Sequence, residues 1–239
     1  MISDYCSKLS PRLAALLQKV FPCECLACRN ARAESIGLCR ACLGRLPKNE
    51  HCCRFCAEPM LQADLCGRCT QKRPAFDDMF APFVFAEPVD ALIREMKYGK
   101  KPEMCRALAR LFLQRIRHGP RPEVLIPVPL HPHALRKRGF NQAAELAKVL
   151  GRSLDMAVWQ GVVRVKNTPR QSSLSLAARR RNLQGAFRIP EKIPSFQHVA
   201  IVDDVVTTGT TVETLASLLK KNGVRHVEVW SLARTPHQP

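Results

Sequence analysis

Two kinds of apolar pattern alternate along the chain from residue 80 onward. Short continuous runs, rich in β-branched residues, are typical of buried strands in a parallel sheet. The segments between them carry apolar residues three and four positions apart, which is the spacing of one helix face. This alternation predicts an α/β fold with a parallel sheet flanked by helices. The predicted strands are residues 80–85, an edge strand interrupted by Pro82, and residues 124–128, 158–165, 186–189, 199–202 and 224–232.

Helix ends are predicted from glycine and threonine positions. Gly99 is expected to end the first helix in the left-handed conformation, and Gly223 is expected to end the last one. Thr210 or Thr211 is the expected N-cap of that last helix. The first helix should bury Val89, Leu92, Ile93 and Met96; the next covers residues 103–117, and another opens within residues 136–142 and runs through Leu150.

The N-terminal part differs in composition from the rest. Residues 1–22 carry charges around a short leucine-alanine run and predict an amphipathic helix rather than a secretory signal. No apolar run approaches about 18 residues, so no transmembrane helix is expected. Residues 70–79 look like a domain boundary. We therefore predict an N-terminal domain over residues 1–75 and an α/β domain over residues 76–239.

Four C-x2-C pairs occupy the N-terminal domain. Each pair places two sulfurs on one edge of a metal tetrahedron, and two successive pairs complete four-coordinate Zn²⁺. Two closed sites in chain order predict a double zinc ribbon whose ions are structural rather than catalytic. Disulfides are the alternative, and Cys23 and Cys52 lie where they can replace neighbouring ligands. The predicted ligands are Cys25, Cys28, Cys39 and Cys42 for one ion, and Cys53, Cys56, Cys66 and Cys69 for the other.

The strand at 199–202 runs into two carboxylates, Asp203 and Asp204, and then into a small, hydroxyl-rich loop around Gly209. Small residues let backbone N–H groups close around a phosphate, and the following helix N-terminus favours its charge. The carboxylates can accept hydrogen bonds from sugar hydroxyls. A ligand with a 5-phosphate and a free 2,3-diol fits both halves, whereas the alternative is a threonine-rich turn that binds nothing. This stretch closely resembles the phosphoribosyl pyrophosphate (PRPP) loop of type I phosphoribosyltransferases.

Two basic segments are candidates for binding a second anionic group. The proline-rich turn at 127–132 leads to Arg136 and Arg138, and a cationic, serine-rich segment covers residues 166–181. Either can hold a pyrophosphate, grip a nucleic-acid backbone, or simply face solvent. Lys97 joins them, so that the candidates for pyrophosphate or loop contacts are Lys97, Arg136, Arg138, Arg170 and Arg181.

The formal net charge of the 239 residues is +18. Such an excess attracts polyanions, namely nucleic acid, an anionic membrane surface or a highly phosphorylated ligand. A basic surface without a specific partner is the alternative. Aromatic residues are few, so platforms for stacking bases are scarce.

Taken together, these motifs resemble the ComF family of competence proteins, which includes GntX-like proteins. The resemblance implies a type I phosphoribosyltransferase domain behind a double zinc ribbon, and a role with incoming single-stranded DNA in natural transformation. It implies that Asp203 and Asp204 are catalytic and meet the ribose diol, and that Mg²⁺ assists the departure of pyrophosphate. The PRPP-binding residues would be Asp203, Asp204, Val205, Val206, Thr207, Thr208, Gly209, Thr210 and Thr211. The motifs that carry the resemblance are the paired cysteines, residues 97–99, 127–131, 138–142, 168–171, 181–187, 202–209 and 232–234.

Three functions remain open at this point. One is a PRPP-binding protein that handles single-stranded DNA beside DNA-uptake or DNA-processing proteins. The second is an active transferase for a small base, and the third is a DNA-binding adaptor with a vestigial loop. A cytoplasmic location is expected, with attachment at the inner membrane only through charge and partner proteins.

Overall fold

The computed structural model describes most of the chain. The predicted helix at residues 1–22, together with Cys6, Cys23, Arg170 and Arg181, lies outside the described residues. The described residues are 24–34, 36–62, 65–99, 102–116, 119–167, 183, 185–191 and 193–237.

The elements follow the α/β order that the apolar pattern predicts. The helices are α1 (Arg40–Gly44), α2 (Gly67–Gln71), α3 (Val89–Tyr98), α4 (Pro102–Leu113), α5 (Pro132–Arg138), α6 (Gln142–Leu154) and α7 (Thr210–Lys221). The strands are β1 (Asp78–Phe80), β2 (Phe83–Val84), β3 (Val124–Pro127), β4 (Ala157–Val158), β5 (Val163–Arg164), β6 (Phe187–Arg188), β7 (His198–Val206) and β8 (His226–Arg234).

The main sheet is parallel and has the order β1-β8-β7-β3-β4, with β2 also paired to β8. The predicted edge strand is confirmed in two pieces, since β1 and β2 both run beside β8 and Pro82 lies between them. Strand β7 is central, paired with β3 on one side and β8 on the other. A strand covered on both faces is apolar throughout, which explains the continuous run at 199–202.

Helices cover both faces of the sheet and divide the core in two. One half contains Leu92 of α3, Phe112 of α4 and Leu146 of α6, packed with Trp230 of β8. The other half contains Leu215 and neighbouring residues of α7. The carboxyl ends of β3 and β7 therefore open at the same edge, between these two helix layers, where open α/β sheets bind ligands.

Each half of the cysteine-rich segment packs on a different half of this core. Three cysteines of the first cluster join the core of α3 and α4, whereas three cysteines of the second join the core of α7. The Asn49 side-chain amide donates to the carbonyls of Ala57 (2.9 Å) and Ala81 (3.1 Å), which ties the segment to the edge of the sheet. The division of the chain at residue 75 stays a prediction.

The prediction of one strand over residues 158–165 is wrong. Strand β4 pairs with β3 in the main sheet, whereas β5 pairs antiparallel with β6 in a separate two-stranded sheet. Gly161 lies between the two strands, and the Trp159 ring leaves no room for a Cβ at this position. Val158 packs against the core of α3 and α4, and Val162 is buried in the core of α7. Val163 and Val165 are exposed, so this run is not one buried strand.

Two predicted helix ends are also corrected. Gly99 closes α3 with φ of −78°, which is not left-handed. A Cβ at this position would lie 2.6 Å from the Glu95 carbonyl oxygen, so the glycine is there for space. The helix expected at 103–117 ends at Leu113.

The basic entrance to the helix that runs through Leu150 is a separate helix. Arg136 and Arg138 lie in the last turn of α5, which Gly139 ends at φ of 84° in the left-handed region. Helix α6 then starts at Gln142, with Asn141 as N-cap accepting from the Ala143 N–H. Because Gly139 ends α5 and Asn141 caps α6, the structure has two helices where the apolar spacing predicts one.

Within the described part of the chain, no helix has the length and apolar character that crossing a membrane requires.

Candidate functional site

The phosphate-loop candidate lies where β7 passes into α7. Its N-cap is Gly209 with φ of 80°, so the prediction of Thr210 or Thr211 at this position is wrong. A left-handed turn here suits glycine, and it lets Thr210 be buried as the first helical residue. The hydroxyl oxygens of Thr208 and Thr210 lie 2.9 Å apart and hydrogen-bond to each other. The first N–H groups of α7 therefore sit beside two ordered hydroxyls, an arrangement suited to an anion.

The paired carboxylates occupy different environments. The Asp204 side chain is 8% exposed, and its Oδ1 lies 2.8 Å from the Nζ of Lys97, which is equally buried. Asp203 is half-buried, and its Oδ1 accepts from the Asp204 N–H at 2.8 Å. Neighbouring residues of a strand project to opposite faces, and Asp204 is the one that faces α3. The carboxylate nearer to solvent at the loop is therefore Asp203.

Lys97 places an ammonium group at the same edge of the sheet. The sequence indicated a contact with an external anion, and the structure instead pairs Lys97 with Asp204. Next to it, the Tyr98 ring is 66% exposed. The guanidinium carbon of Arg138 lies 6.0 Å from the centre of that ring. Tyr98 and Arg138 thus form a cationic, aromatic rim, and Tyr98 directly follows the buried Lys97 in the chain.

For the other basic candidates the structure shows no contact with the loop among the described residues. Arg136 is exposed on α5. Arg138 donates to the Gln142 side chain at 3.1 Å, which holds its guanidinium at the start of α6. Arg170 and Arg181 lie outside the described residues.

A buried arginine joins the loop to the second cysteine cluster. Arg234, at the end of β8, is 1% exposed. Its guanidinium donates to the carbonyls of Val206 (3.2 Å) and Thr207 on the loop side. On the ribbon side it donates to the Cys56 carbonyl (3.1 Å) and to the Glu58 carboxylate (2.5 Å). Burial lowers the pKa of Arg234, and the negative charge of Glu58 opposes this effect.

Sequence reasoning did not identify Arg234, Glu58 or Tyr98 as functional residues. Arg234 carried a detectable signal, because a charged residue directly after the apolar run of a buried strand requires a partner. Glu58 follows a cysteine ligand and resembles the many charged residues of that segment, so nothing set it apart.

The eight predicted cysteine ligands form two clusters. In each cluster the four sulfur atoms lie within 4.8 Å of one another. Contacts across the pairs, Cys28 to Cys39 at 3.9 Å and Cys56 to Cys66 at 3.6 Å, confirm that successive pairs meet in chain order. No disulfide is formed among the cysteines that the structure describes. Cys52 lies outside both clusters and forms a β-bridge with Pro59.

The thiol environments fit Zn²⁺. Burial raises the pKa of Cys42 to about 12, and neighbouring thiols add to the effect. In the same cluster the pKa of Cys25 falls to about 6, because backbone N–H groups outweigh its burial. The second cluster repeats this contrast, since the pKa of Cys53 is lowered to about 7 and burial raises that of Cys56 to about 12. Burial and neighbouring sulfurs oppose a cluster of four thiolates, so a bound cation is needed to deprotonate all four, and four sulfur ligands complete the coordination of Zn²⁺.

Family comparisons match both parts of the chain. The family described as "Phosphoribosyl transferase domain" matches residues 97–239, and the family described as "Double zinc ribbon domain" matches residues 16–70. The first match includes Lys97, the loop and Arg234, and the second includes all eight cysteines.

Curated relatives extend over most of the chain. "Competence protein F" of Haemophilus influenzae is 36% identical over 228 residues, which cover 91% of this chain and 100% of the relative. "DNA utilization protein YhgH" of Escherichia coli O157:H7 is 38% identical over 208 residues, which cover 83% of this chain and 91% of the relative. Among solved structures, a glutamine PRPP amidotransferase from B. subtilis superposes with a TM-score of 0.39 at 16% identity, covering 59% of this chain and 30% of that chain. That superposition is too weak to add anything about this protein.

Proposed function

Because the chain belongs to the competence protein F family, with a double zinc ribbon before a phosphoribosyltransferase domain, we propose that it binds PRPP and acts on single-stranded DNA. In this proposal the loop at residues 203–211 holds the ribose 5-phosphate, and the rim of Tyr98 and Arg138 faces the DNA. Both parts open at the carboxyl edge of one sheet, so a phosphoribosyl group and a DNA strand can meet there.

The observation that carries the proposal is the geometry of the loop. Gly209 turns the chain in the left-handed conformation directly into α7, and Thr208 and Thr210 are fixed beside the helix N-terminus. Small residues, oriented N–H groups and the helix dipole are what a phosphate monoester requires. Asp203 follows the apolar run of β7, and in this proposal its carboxylate accepts from the ribose hydroxyls. Asp204 and Lys97 complete the site as an ion pair that holds an ammonium beside it.

Mg²⁺ belongs to this proposal as the companion of the pyrophosphate group. It keeps several water ligands and is typically held by one or two carboxylates together with substrate phosphates. Asp203 offers hard oxygen donors that fit such an ion. When bound, Mg²⁺ would neutralise charge on the pyrophosphate. The residues of the chain would orient the ribose and hold the 5-phosphate, and Arg136 and Arg138 of α5 are the candidates for a basic clamp on the leaving group.

One observation favours the alternative of a non-catalytic DNA-binding adaptor. The Asp204 carboxylate is buried against Lys97, so the ion pair has to open before this acid can meet a ligand diol. The two functions differ in their product. An active transferase releases pyrophosphate from PRPP when an acceptor is present, with single-stranded DNA and free nucleobases as the acceptors to compare. An adaptor binds DNA with the same affinity whether PRPP is present or absent.

The DNA part of the proposal predicts a specific loss at Tyr98. Tyr98→Ala is expected to weaken binding of a fluorescent single-stranded oligonucleotide roughly 5- to 150-fold, because stacking of one base is worth about 1–3 kcal/mol. The measurement is fluorescence anisotropy with zinc-loaded protein at low and moderate salt, where affinity should fall as salt rises.

Tyr98→Phe is the matched control, since it keeps the aromatic face and should bind within about twofold of the wild type. Equal affinity of the alanine variant and the wild type would remove the rim from the DNA-binding surface. Absence of any salt-dependent binding by the wild type would remove DNA from the proposed function while leaving the PRPP site untouched.

A further inference from the structure

We propose that His198, His226 and Glu228 form a third metal site, at the edge of the sheet opposite to the loop, for a first-row transition ion such as Zn²⁺. His198 and His226 are the first residues of β7 and β8 and stand side by side in register. The loop at residues 203–211 follows the other end of β7. The site therefore shares no ligand with the cysteine clusters and lies at the other end of β7 from the proposed PRPP site.

The ligand atoms converge within coordination range. The Nε2 of His198 lies 2.7 Å from the Oε1 of Glu228, and the Nε2 of His226 lies 3.9 Å from the same oxygen. All three candidate ligand atoms fall within 4.8 Å of one another. Ligands of a tetrahedral zinc ion stand about 3.4 Å apart, given zinc–ligand bonds of about 2.1 Å. Small side-chain adjustments bring these atoms to that spacing.

Polar groups lie behind two of the three ligands. The Nδ1 of His226 lies 3.7 Å from the Oδ2 of Asp77, so the two ring nitrogens of His226 lie near two different carboxylates. Asp77 is held by the Lys220 ammonium and the Val227 N–H, both at 2.8 Å. The other oxygen of Glu228 accepts from the Trp230 indole at 2.8 Å. A carboxylate behind a ligating histidine and a donor behind a ligating carboxylate are the outer contacts that metal sites use.

An ion pair between His198 and Glu228 accounts for their contact, and the His226 ring, which packs edge-to-face on the His198 ring, brings a second imidazole to the same carboxylate. Two imidazoles and a carboxylate are a donor set that suits zinc-type ions rather than Mg²⁺ or Ca²⁺. The cluster also lines a surface cavity of about 560 Å³ with Arg54, Asp77, Asp78 and Pro120. Three protein ligands leave a coordination position open to this cavity. The Arg54 guanidinium favours water or an anion, rather than a second cation, as the fourth ligand.

The test counts metal ions in the full chain. Protein with both cysteine clusters filled with Zn²⁺ is titrated with Co²⁺, whose visible absorption reports nitrogen and oxygen ligation without the near-ultraviolet charge-transfer band of thiolate ligands. The wild type is expected to bind one further equivalent. His226→Asn and Glu228→Gln are each expected to lose that equivalent. Both variants should keep their two zinc ions, which shows that they are folded.

His133→Asn is the matched control, because His133 is exposed on α5 and distant in the chain from the cluster. It is expected to bind the further equivalent as the wild type does. Failure of the wild type to bind a further ion would overturn the proposal, and the cluster would then be an ion pair. Retention of the further equivalent in His226→Asn would overturn it as well, because the ion would be bound elsewhere.

Discussion

Replacing Lys97 by methionine is expected to lower the free energy of unfolding by about 3–5 kcal/mol. Both members of the Lys97–Asp204 pair are 8% exposed, and their charged atoms are 2.8 Å apart. Removing the ammonium leaves a carboxylate buried without its counter-charge, and this costs far more than an exposed ion pair contributes. Denaturant unfolding of the zinc-loaded protein, compared with the wild type at the same pH, measures the change.

A second substitution separates stability from ligand binding. In the double variant Lys97→Met/Asp204→Asn the uncompensated charge is gone, so most of the lost stability should return. Binding of PRPP should not return, because the ammonium beside the loop is still missing. A single variant within about 0.5 kcal/mol of the wild type would show that Asp204 is solvated and that the pair is not a structural feature of the site.

Replacing Arg234 by methionine is expected to destabilise the protein by a similar amount, about 3–5 kcal/mol, and to weaken the second zinc site in particular. Arg234 donates to carbonyl oxygens on both sides of the contact between ribbon and loop, and its guanidinium pairs with Glu58. Methionine fills much of the space but donates no hydrogen bond, so buried acceptors lose their partners. Part of the charge of Glu58 remains compensated by Arg68 at 3.1 Å.

The rate of zinc release distinguishes a local weakening of the second cluster from a general loss of stability. A chelator with a chromogenic response should extract one of the two zinc ions from Arg234→Met faster than from the wild type, and the other at a similar rate. Arg234→Lys keeps the charge but not the planar guanidinium, so its rate of zinc release is expected to lie between those of Arg234→Met and the wild type. Arg225→Met removes an exposed arginine one residue before β8 and should behave as wild type. Equal acceleration for both ions would contradict a specific link between Arg234 and the second cluster.

The central elements of the fold could be predicted because their signals are local. The continuous apolar run of β7 reflects burial on both faces of the sheet. The next helix is marked by the apolar spacing around Leu215, which buries one of its faces. The interruption at Pro82 was correctly assigned to an edge, where a missing N–H is tolerated. Cysteine spacing specified both clusters, because a C-x2-C pair has few geometric uses.

The contacts that shape the site depend on long-range packing and could not be predicted in the same way. Lys97 and Asp204 lie far apart in the chain, and no local pattern reveals that their side chains meet. Arg234 meets Glu58 across an even longer separation. The predictions of two helix caps are wrong for a related reason. The sequence predicts a left-handed turn at Gly99, where the structure needs a glycine for space. The left-handed turn at Gly209 takes the N-cap position that the sequence predicts for a threonine.

The most direct measurement of the central claim is a calorimetric titration of PRPP with Mg²⁺ into zinc-loaded protein. We expect saturable binding to one site in the wild type. Asp203→Asn should bind roughly 10- to 150-fold more weakly, since a hydrogen bond to a charged group is worth about 1.5–3 kcal/mol. Asp155→Asn, which removes an exposed carboxylate from a left-handed position that asparagine accepts, should bind as the wild type does. Neither heat nor thermal stabilisation of the wild type by PRPP would contradict the claim that the loop at residues 203–211 is a ligand site.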